Sequence, residues 1–404
     1  MLPDLLICGT AAAHTLGGMS LDGPSPGAAV SGLVRTDPHG PGITRARIPG
    51  GFRYLDPSAA EITDQETLDR IRALRIPPAW ENVWISTDPL GHIQATGVDS
   101  RDRLQYIYHR LWREQRDAQK FAHMIRFAGA LPALRTAAQQ DLGRRGLTHD
   151  RVLAGVVRLI DLGLFRVGGE RYAELDHHYG ITTLEKRHVR LTRNGILFDY
   201  IAKAGKQRTI EVTDPVVQPT VRTLARTDNG HDALFCYEEG GAWHQLHSRE
   251  VGNYIAAQSG GHFTAKEFRT WNATVLMALV LANAGPSATQ QSRKRVISAS
   301  VREVARALGD TPAVARSSYI DPRLVTHYES EGELAGIPAQ PAGIPASAET
   351  EAAIAAFLTS CGDGVLPAAD LRAGEIHELI AADGDAHDDE AEPGLLSTSH
   401  PPAR

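Results

Sequence analysis

Four consecutive stretches, Ser248–Gln258, Thr264–Ala284, Gln290–Leu308 and Pro312–Ser318, read as helices, and they constrain the fold more than any other feature of the chain. Leu131–Arg144 and Arg151–Leu164 read the same way, with glycine at their ends, and Leu111–Ala128 has helical spacing and many charges. Between them Leu191–Asp199 and Gln207–Thr213 read as strands around Ala204-Gly205, a hairpin. The expectation for residues 125–330 is therefore a mainly α-helical domain with a small β insertion, large enough to bury its own core.

Upstream the pattern differs. Gly51-Phe52-Arg53-Tyr54 reads as a short strand, and Thr63-Asp64-Gln65-Glu66 as a helix start, with Thr63 able to cap and Glu66 three residues on. A helix over Glu66–Leu74 stops before Pro77-Pro78. Val83–Ser86 and His92–Gly97 look like strands joined by Asp88-Pro89-Leu90-Gly91, and Arg103–Tyr108 alternates, with Gln105 on one face and Tyr106 and Tyr108 on the other. Residues 46–124 thus form a small mixed domain with a largely antiparallel sheet, and the overall fold class is α+β. The flanks, residues 1–45 and 331–404, look disordered, the latter with a helix near Glu349–Phe357.

Charge separates along the chain. The net charge is −6, yet residues 331–404 hold 14 acidic and 2 basic residues, and residues 1–330 hold 40 basic and 34 acidic. A basic body with an acidic tail fits a nucleic-acid partner. Cys8, Cys236 and Cys361 make neither a disulfide framework nor a zinc spacing, which points to a reducing cytoplasm. No apolar run is long enough to span a bilayer, and Met1–Gly18 lacks the basic start of a signal peptide.

Breaking a phosphodiester with a side chain needs an attacking oxygen, neutralisation of a doubly charged transition state, and an acid for the leaving oxygen. Tyr319, in Arg316-Ser317-Ser318-Tyr319-Ile320-Asp321-Pro322, is the candidate nucleophile. A free phenol has a pKa of about 10, so it attacks only where cations gather. The sequence holds no HExxH, no Cys/His cluster and no Asp-x-Asp run convincing enough to bring a metal, and guanidinium is the natural replacement. Arg166 precedes Val167-Gly168-Gly169, where backbone can approach a ligand closely. Lys266 and Arg269 lie three apart after Thr264, on one helix face, and Lys203 sits at the tight turn Ala202-Lys203-Ala204-Gly205-Lys206.

Together with Ile62-Thr63-Asp64, Ile76-Pro77-Pro78-Ala79-Trp80, Gly91–Gly97, Phe165-Arg166-Val167-Gly168 and Phe268-Arg269-Thr270-Trp271, these segments resemble the bacterial, poxvirus-like branch of the type IB DNA topoisomerases, from about Phe52 to Tyr328. The resemblance implies that Tyr319 attacks the scissile phosphate of duplex DNA and stays joined to the 3′ phosphate, while Arg166 and Arg269 clamp the non-bridging oxygens. Lys203 would protonate the departing 5′ oxygen, with Lys206 a nearby rival, and Lys266 would assist. Gln105, Tyr106, Tyr108 and Arg103 would be DNA contacts of the first domain. Strand swivelling and resealing would need neither ATP, metal nor other cofactor. A monomer clamped around DNA in the bacterial cytoplasm, at the nucleoid, is the implied setting.

One position departs from that pattern. The family's residue nine before the tyrosine is His or Asn, a donor to a phosphate oxygen; here it is Asp310. An ionised carboxylate only accepts hydrogen bonds and repels phosphate. Asp310 could be protonated between phosphate oxygens, turned aside to pair with an arginine, or the mark of a slow enzyme; reduced rather than absent activity is expected, with Asp310→Asn faster. Two alternatives stand beside this reading. A tyrosine recombinase usually has His two residues before its second arginine, where this chain has Glu267. A DNA-binding module with weakened catalysis has only Asp310 in its favour.

Overall fold

The computed structural model describes residues 32–163, 165–169, 173, 177–261, 263–341 and 343–362. The apparent tail at Met1–Gly18 and the acidic run Asp383–Glu392 lie outside the described residues.

The first unit is a five-stranded antiparallel sheet in the order β2-β1-β3-β4-β5, formed by β1 (Ile43–Ile48), β2 (Gly51–Leu55), β3 (Glu81–Ile85), β4 (Ile93–Val98) and β5 (Leu104–Tyr108). Order begins earlier than residue 46: Val34 bridges to Gly91, and the Thr36 amide donates to His92 Nδ1 at 3.0 Å. Helix α1 (Gln65–Ala73) covers one face, and Ile71 joins Ile43, Val83, Ile85, Ala95 and Ile107 in a separate core. Asp64, not Thr63, caps α1, accepting from the Thr67 amide at 2.8 Å. A carboxylate there also complements the positive end of the helix.

Helix α2 (Arg110–Leu142) runs unbroken through Pro132, where two helices were expected. Proline removes one backbone donor and crowds the preceding turn. Here a continuous buried stripe, Phe121, Met124, Phe127, Leu131, Leu134 and Ala138, holds the helix together across it. The boundary drawn between residues 124 and 125 therefore falls inside one helix, whose later turns belong to the second core.

That second core is mainly helical. Helices α3 (His149–Gly163), with α4 (Gln218–Arg226) beyond it, α5 (Ser248–Ser259) and α6 (Ala265–Ala284) pack against α2 or its neighbours, and α7 (Gln290–Leu308) and α8 (Pro322–Glu331) pack on α6. Helix α6 is buried on almost every side, with Phe268, Trp271, Val275 and Leu279 inaccessible. The β insertion is three-stranded, β6 (Val189–Leu191), β7 (Ile196–Ala202) and β8 (Lys206–Val212), because Thr192–Gly195 turns back within the stretch read as one strand. A further hairpin, β9 (Cys236–Glu239) with β10 (Ala242–Gln245), was not anticipated.

The expected tail does not begin at residue 331. Leu334 and Ile337 are buried, and α9 (Ala348–Ser360) buries Ile354 and Leu358 in the main core. Its Glu351 shares Arg135 of α2 with Asp161 of α3.

Candidate active site

Arg166 lies just after α3, in a segment held by backbone bonds to residues far along the chain. Ile181 N donates to Arg166 O at 2.8 Å and Thr182 N to Val167 O at 2.9 Å. Gly168 has φ +98°, and a Cβ there would come within 2.9 Å of Gly180 Cα, so glycine is required by both conformation and space. Phe165, buried against Phe198, anchors the segment from below.

Arg269 comes from the first turns of α6. Thr264 caps that helix, accepting from Lys266 N at 3.2 Å, and Glu267 reaches back to Thr264 N at 2.7 Å. This start aims Lys266 to solvent and Arg269 inward, where its side chain is only 5% exposed. Arg269 Nη2 donates to Leu308 O at 3.1 Å, and its guanidinium sits 5.1 Å from the centre of the Tyr319 ring.

Tyr319 ends a π-helical turn, Ala315–Tyr319, that follows a single α-turn at Pro312–Val314, where a plain helix over Pro312–Ser318 was expected. Buried Thr274 of α6 secures it from beneath, its hydroxyl donating to Tyr319 O at 3.2 Å and accepting from Asp321 N at 3.1 Å. Widened helical turns of this kind are rare and frequently lie at functional sites.

Asp310 joins the two arginines. Its Oδ1 accepts from Arg166 Nη2 at 2.5 Å and its Oδ2 from Arg269 Nη2 at 2.9 Å. Of the three roles open to Asp310 in the sequence, the structure has it paired, with both arginines at once. Burial works against the charge on Arg166, but the Asp310 carboxylate, with Tyr319 and Tyr200 adding to it, holds that guanidinium above its ordinary pKa.

Two members of the site were missed. Tyr200 and Arg208 face each other across the β7–β8 hairpin, and Arg208 Nη2 donates to Ala307 O at 3.0 Å. Burial pushes the Tyr200 phenol up, against the pull of Arg208, Arg269 and Arg166. Burial lowers Arg208, and Arg269 and Arg166 lower it further while Tyr200 opposes them. The strands expected at Leu191–Asp199 and Gln207–Thr213 ended one residue short of Tyr200 and left its register with Arg208 unread. Strand alternation carried past Asp199 would have found the pair.

The structure thus brings together Arg166, Arg269, Asp310 and Tyr319. Lys203 and Lys206 are exposed at the tip of the β7–β8 hairpin, three and six residues beyond Tyr200, and Lys266 is exposed one helical turn from Arg269. Tyr106 and Tyr108 stack on each other, rings 5.8 Å apart, half-exposed on the outer face of the first sheet. Gln105 is buried on the other face, 7% exposed, where its amide donates to Asp99 at 3.1 Å, and Arg103 pairs with the same carboxylate at 2.8 Å. Its reading as a base contact alongside the tyrosines does not match this orientation, because strand alternation turns it inward.

Two guanidinium groups spanning one acidic bidentate acceptor beside a tyrosine can hold a phosphodiester for attack by that tyrosine. Residues 109–332 match the sequence model of the eukaryotic DNA topoisomerase I catalytic core, and residues 51–99 that of the bacterial DNA topoisomerase IB N-terminal domain. The chain belongs to the type IB DNA topoisomerases. It is 29% identical over 300 residues to the DNA topoisomerase 1B of Acanthamoeba polyphaga mimivirus, covering 72% of this chain and 89% of that protein. Vaccinia virus DNA topoisomerase 1B is 19% identical over 274 residues, covering 66% of this chain and 82% of the viral enzyme. For the DNA topoisomerase 1 beta of Arabidopsis thaliana the figure is 26% over 170 residues, 41% of this chain and 17% of the plant protein. These matches favour neither a recombinase nor an inert binding module. In this topoisomerase the match to the bacterial N-terminal domain covers the antiparallel sheet only in part, while the match to the catalytic core takes in every residue of the Arg166–Arg269–Asp310–Tyr319 cluster.

Proposed function

We propose that this topoisomerase relaxes supercoiled duplex DNA by opening one strand through Tyr319, using cations of its own chain. Tyr319 Oη attacks the scissile phosphorus, the bond to the 5′ oxygen breaks, and the phenolic proton passes to water. Arg166 and Arg269 carry the charge that builds on the non-bridging oxygens, where a preorganised donor is worth most. Lys203, swung in from the hairpin tip, protonates the departing 5′ oxygen, and Lys266 lies one turn away to assist. The freed end swivels and then attacks the 3′-phosphotyrosine. That ester keeps the energy of the broken bond, so neither ATP nor a divalent ion is needed.

The observation that carries this reading is the grip of Arg166 and Arg269 on the two oxygens of one carboxylate, with Arg269 over the Tyr319 ring. The outer face of the first sheet, with Tyr106 and Tyr108, would close on the other side of the duplex, a single chain acting as the clamp. A reducing cytoplasm is the setting we infer from the scattered cysteines, and a bacterial one from the likeness to the bacterial N-terminal domain. The test is relaxation of a supercoiled plasmid in EDTA without ATP, with detergent trapping of the covalent adduct. Wild type should give a topoisomer ladder and a trapped adduct, and Tyr319→Phe neither. An adduct that persists in Tyr319→Phe would overturn the assignment.

A further inference from the structure

The proposed phosphate grip already has an occupant, Asp310, whose role rests on that reading of Arg166 and Arg269. Asp310 is 8% exposed at its side chain and is aimed inward by the chain on both sides of it. Gly309, at φ +70°, ends α7 and reverses the backbone, and Asp310 N donates to Ala305 O at 3.0 Å. Thr311 then starts the turn that leads to Tyr319, its hydroxyl accepting from Val314 N at 3.3 Å. The carboxylate is therefore delivered between the guanidinium groups by the same loop that delivers the nucleophile.

Carboxylate and phosphodiester are both acceptor-only anions, and both suit the planar guanidinium fork. The Nη2 atoms that would hold two phosphate oxygens are the ones holding Asp310. Arg269 is nearly inaccessible, and a cation in such a place is costly unless an anion attends it. We propose that Asp310 is an internal substitute for the scissile phosphate: it keeps the two arginines aligned and neutralised while DNA is absent, and DNA must displace it before Tyr319 can react. Asp310 is then a positioning residue in the free protein and a competitor in the complex. The site is assembled in advance, at the expense of affinity for the phosphate.

The test is duplex affinity measured in the Tyr319→Phe background, which separates binding from cleavage. A fluorescent duplex oligonucleotide is titrated against Asp310, Asp310→Asn and Asp310→Ala proteins, with Glu303→Gln as a control that removes one exposed negative charge from α7. Circular dichroism establishes that each variant is folded. Displacement requires that both substitutions at 310 bind tighter than the control, Asn by roughly ten- to a hundredfold because it also adds a donor. With Tyr319 restored, Asp310→Asn should also cleave faster than wild type. Affinity no greater than that of Glu303→Gln would overturn the proposal. So would Asp310→Ala binding more weakly than wild type, the result expected if Asp310 instead bears a proton and donates to the phosphate. If no variant with Tyr319 forms an adduct, the cleavage reading fails, and the affinities still decide whether Asp310 competes with DNA.

Discussion

Replacing Arg135 by methionine keeps most of the side chain's apolar stem and removes only its guanidinium. That group donates to Asp161 through Nε at 2.8 Å and Nη2 at 2.9 Å, and to Glu351 through Nη1 at 2.8 Å and Nη2 at 3.0 Å. The two carboxylate side chains are 2% and 9% exposed. Burial opposes the charge on Arg135, but Asp161 and then Glu351 outweigh it and raise its pKa, so it is charged at any working pH. Removing one partner of a buried ion pair costs about 3–5 kcal/mol, because the other is left uncompensated. Asp161 keeps Arg158 Nη1 at 3.3 Å, which puts the expected loss near the lower end, about 3 kcal/mol. For a domain of roughly 200 residues this is a fall in Tm of about 6–12 °C. Calorimetry of the intact chain, following the transition of the helical core, reads it directly. Glu351→Gln, which disturbs one carboxylate only, should lose about 1–2 kcal/mol. A loss below about 1 kcal/mol in Arg135→Met is what an exposed pair would give, and it would refute the docking of α9 against α2 and α3.

Two further outcomes concern the site. Thr274→Val keeps shape but leaves Tyr319 O and Asp321 N without the hydroxyl between them; it should cost about 1–3 kcal/mol in urea unfolding and slow adduct formation by about tenfold or more, and an unchanged cleavage rate would mean that this contact does not position the tyrosine. If Lys203 is the general acid, Lys203→Ala should slow single-turnover cleavage by about 10²–10⁴-fold and Lys206→Ala far less, with the reverse order reassigning the role to Lys206.

Much of the fold was legible because its signals are local. The helices near 248–308 declare themselves by spacing, and strand alternation set the faces of Tyr106 and Tyr108. The misreadings share a cause. A break between Ala128 and Leu131, just before Pro132, looks natural until the stripe from Phe121 to Ala138 is seen to be buried as one surface. Residues 331–362 look like a solvated tail because their composition is simple, yet Leu334, Ile337, Ile354 and Leu358 complete the main core. Asp64 and Thr63 are both competent caps, and only backbone geometry chooses between them.

By itself the sequence determined which chemistry is available: a tyrosine, two arginines in motifs separated by about a hundred residues, a hairpin lysine, and an aspartate where a donor is expected. It also determined the sheet-then-helices order, since periodicity is a property of neighbours along the chain. Tertiary structure alone decided that Asp310 spans Arg166 and Arg269, that Arg208 and Tyr200 stand beside them, and that Glu351 reaches Arg135 from 216 residues away. Ion pairing between distant segments depends on where packing leaves two charges and how little water remains between them, and neither quantity is written in local residue order.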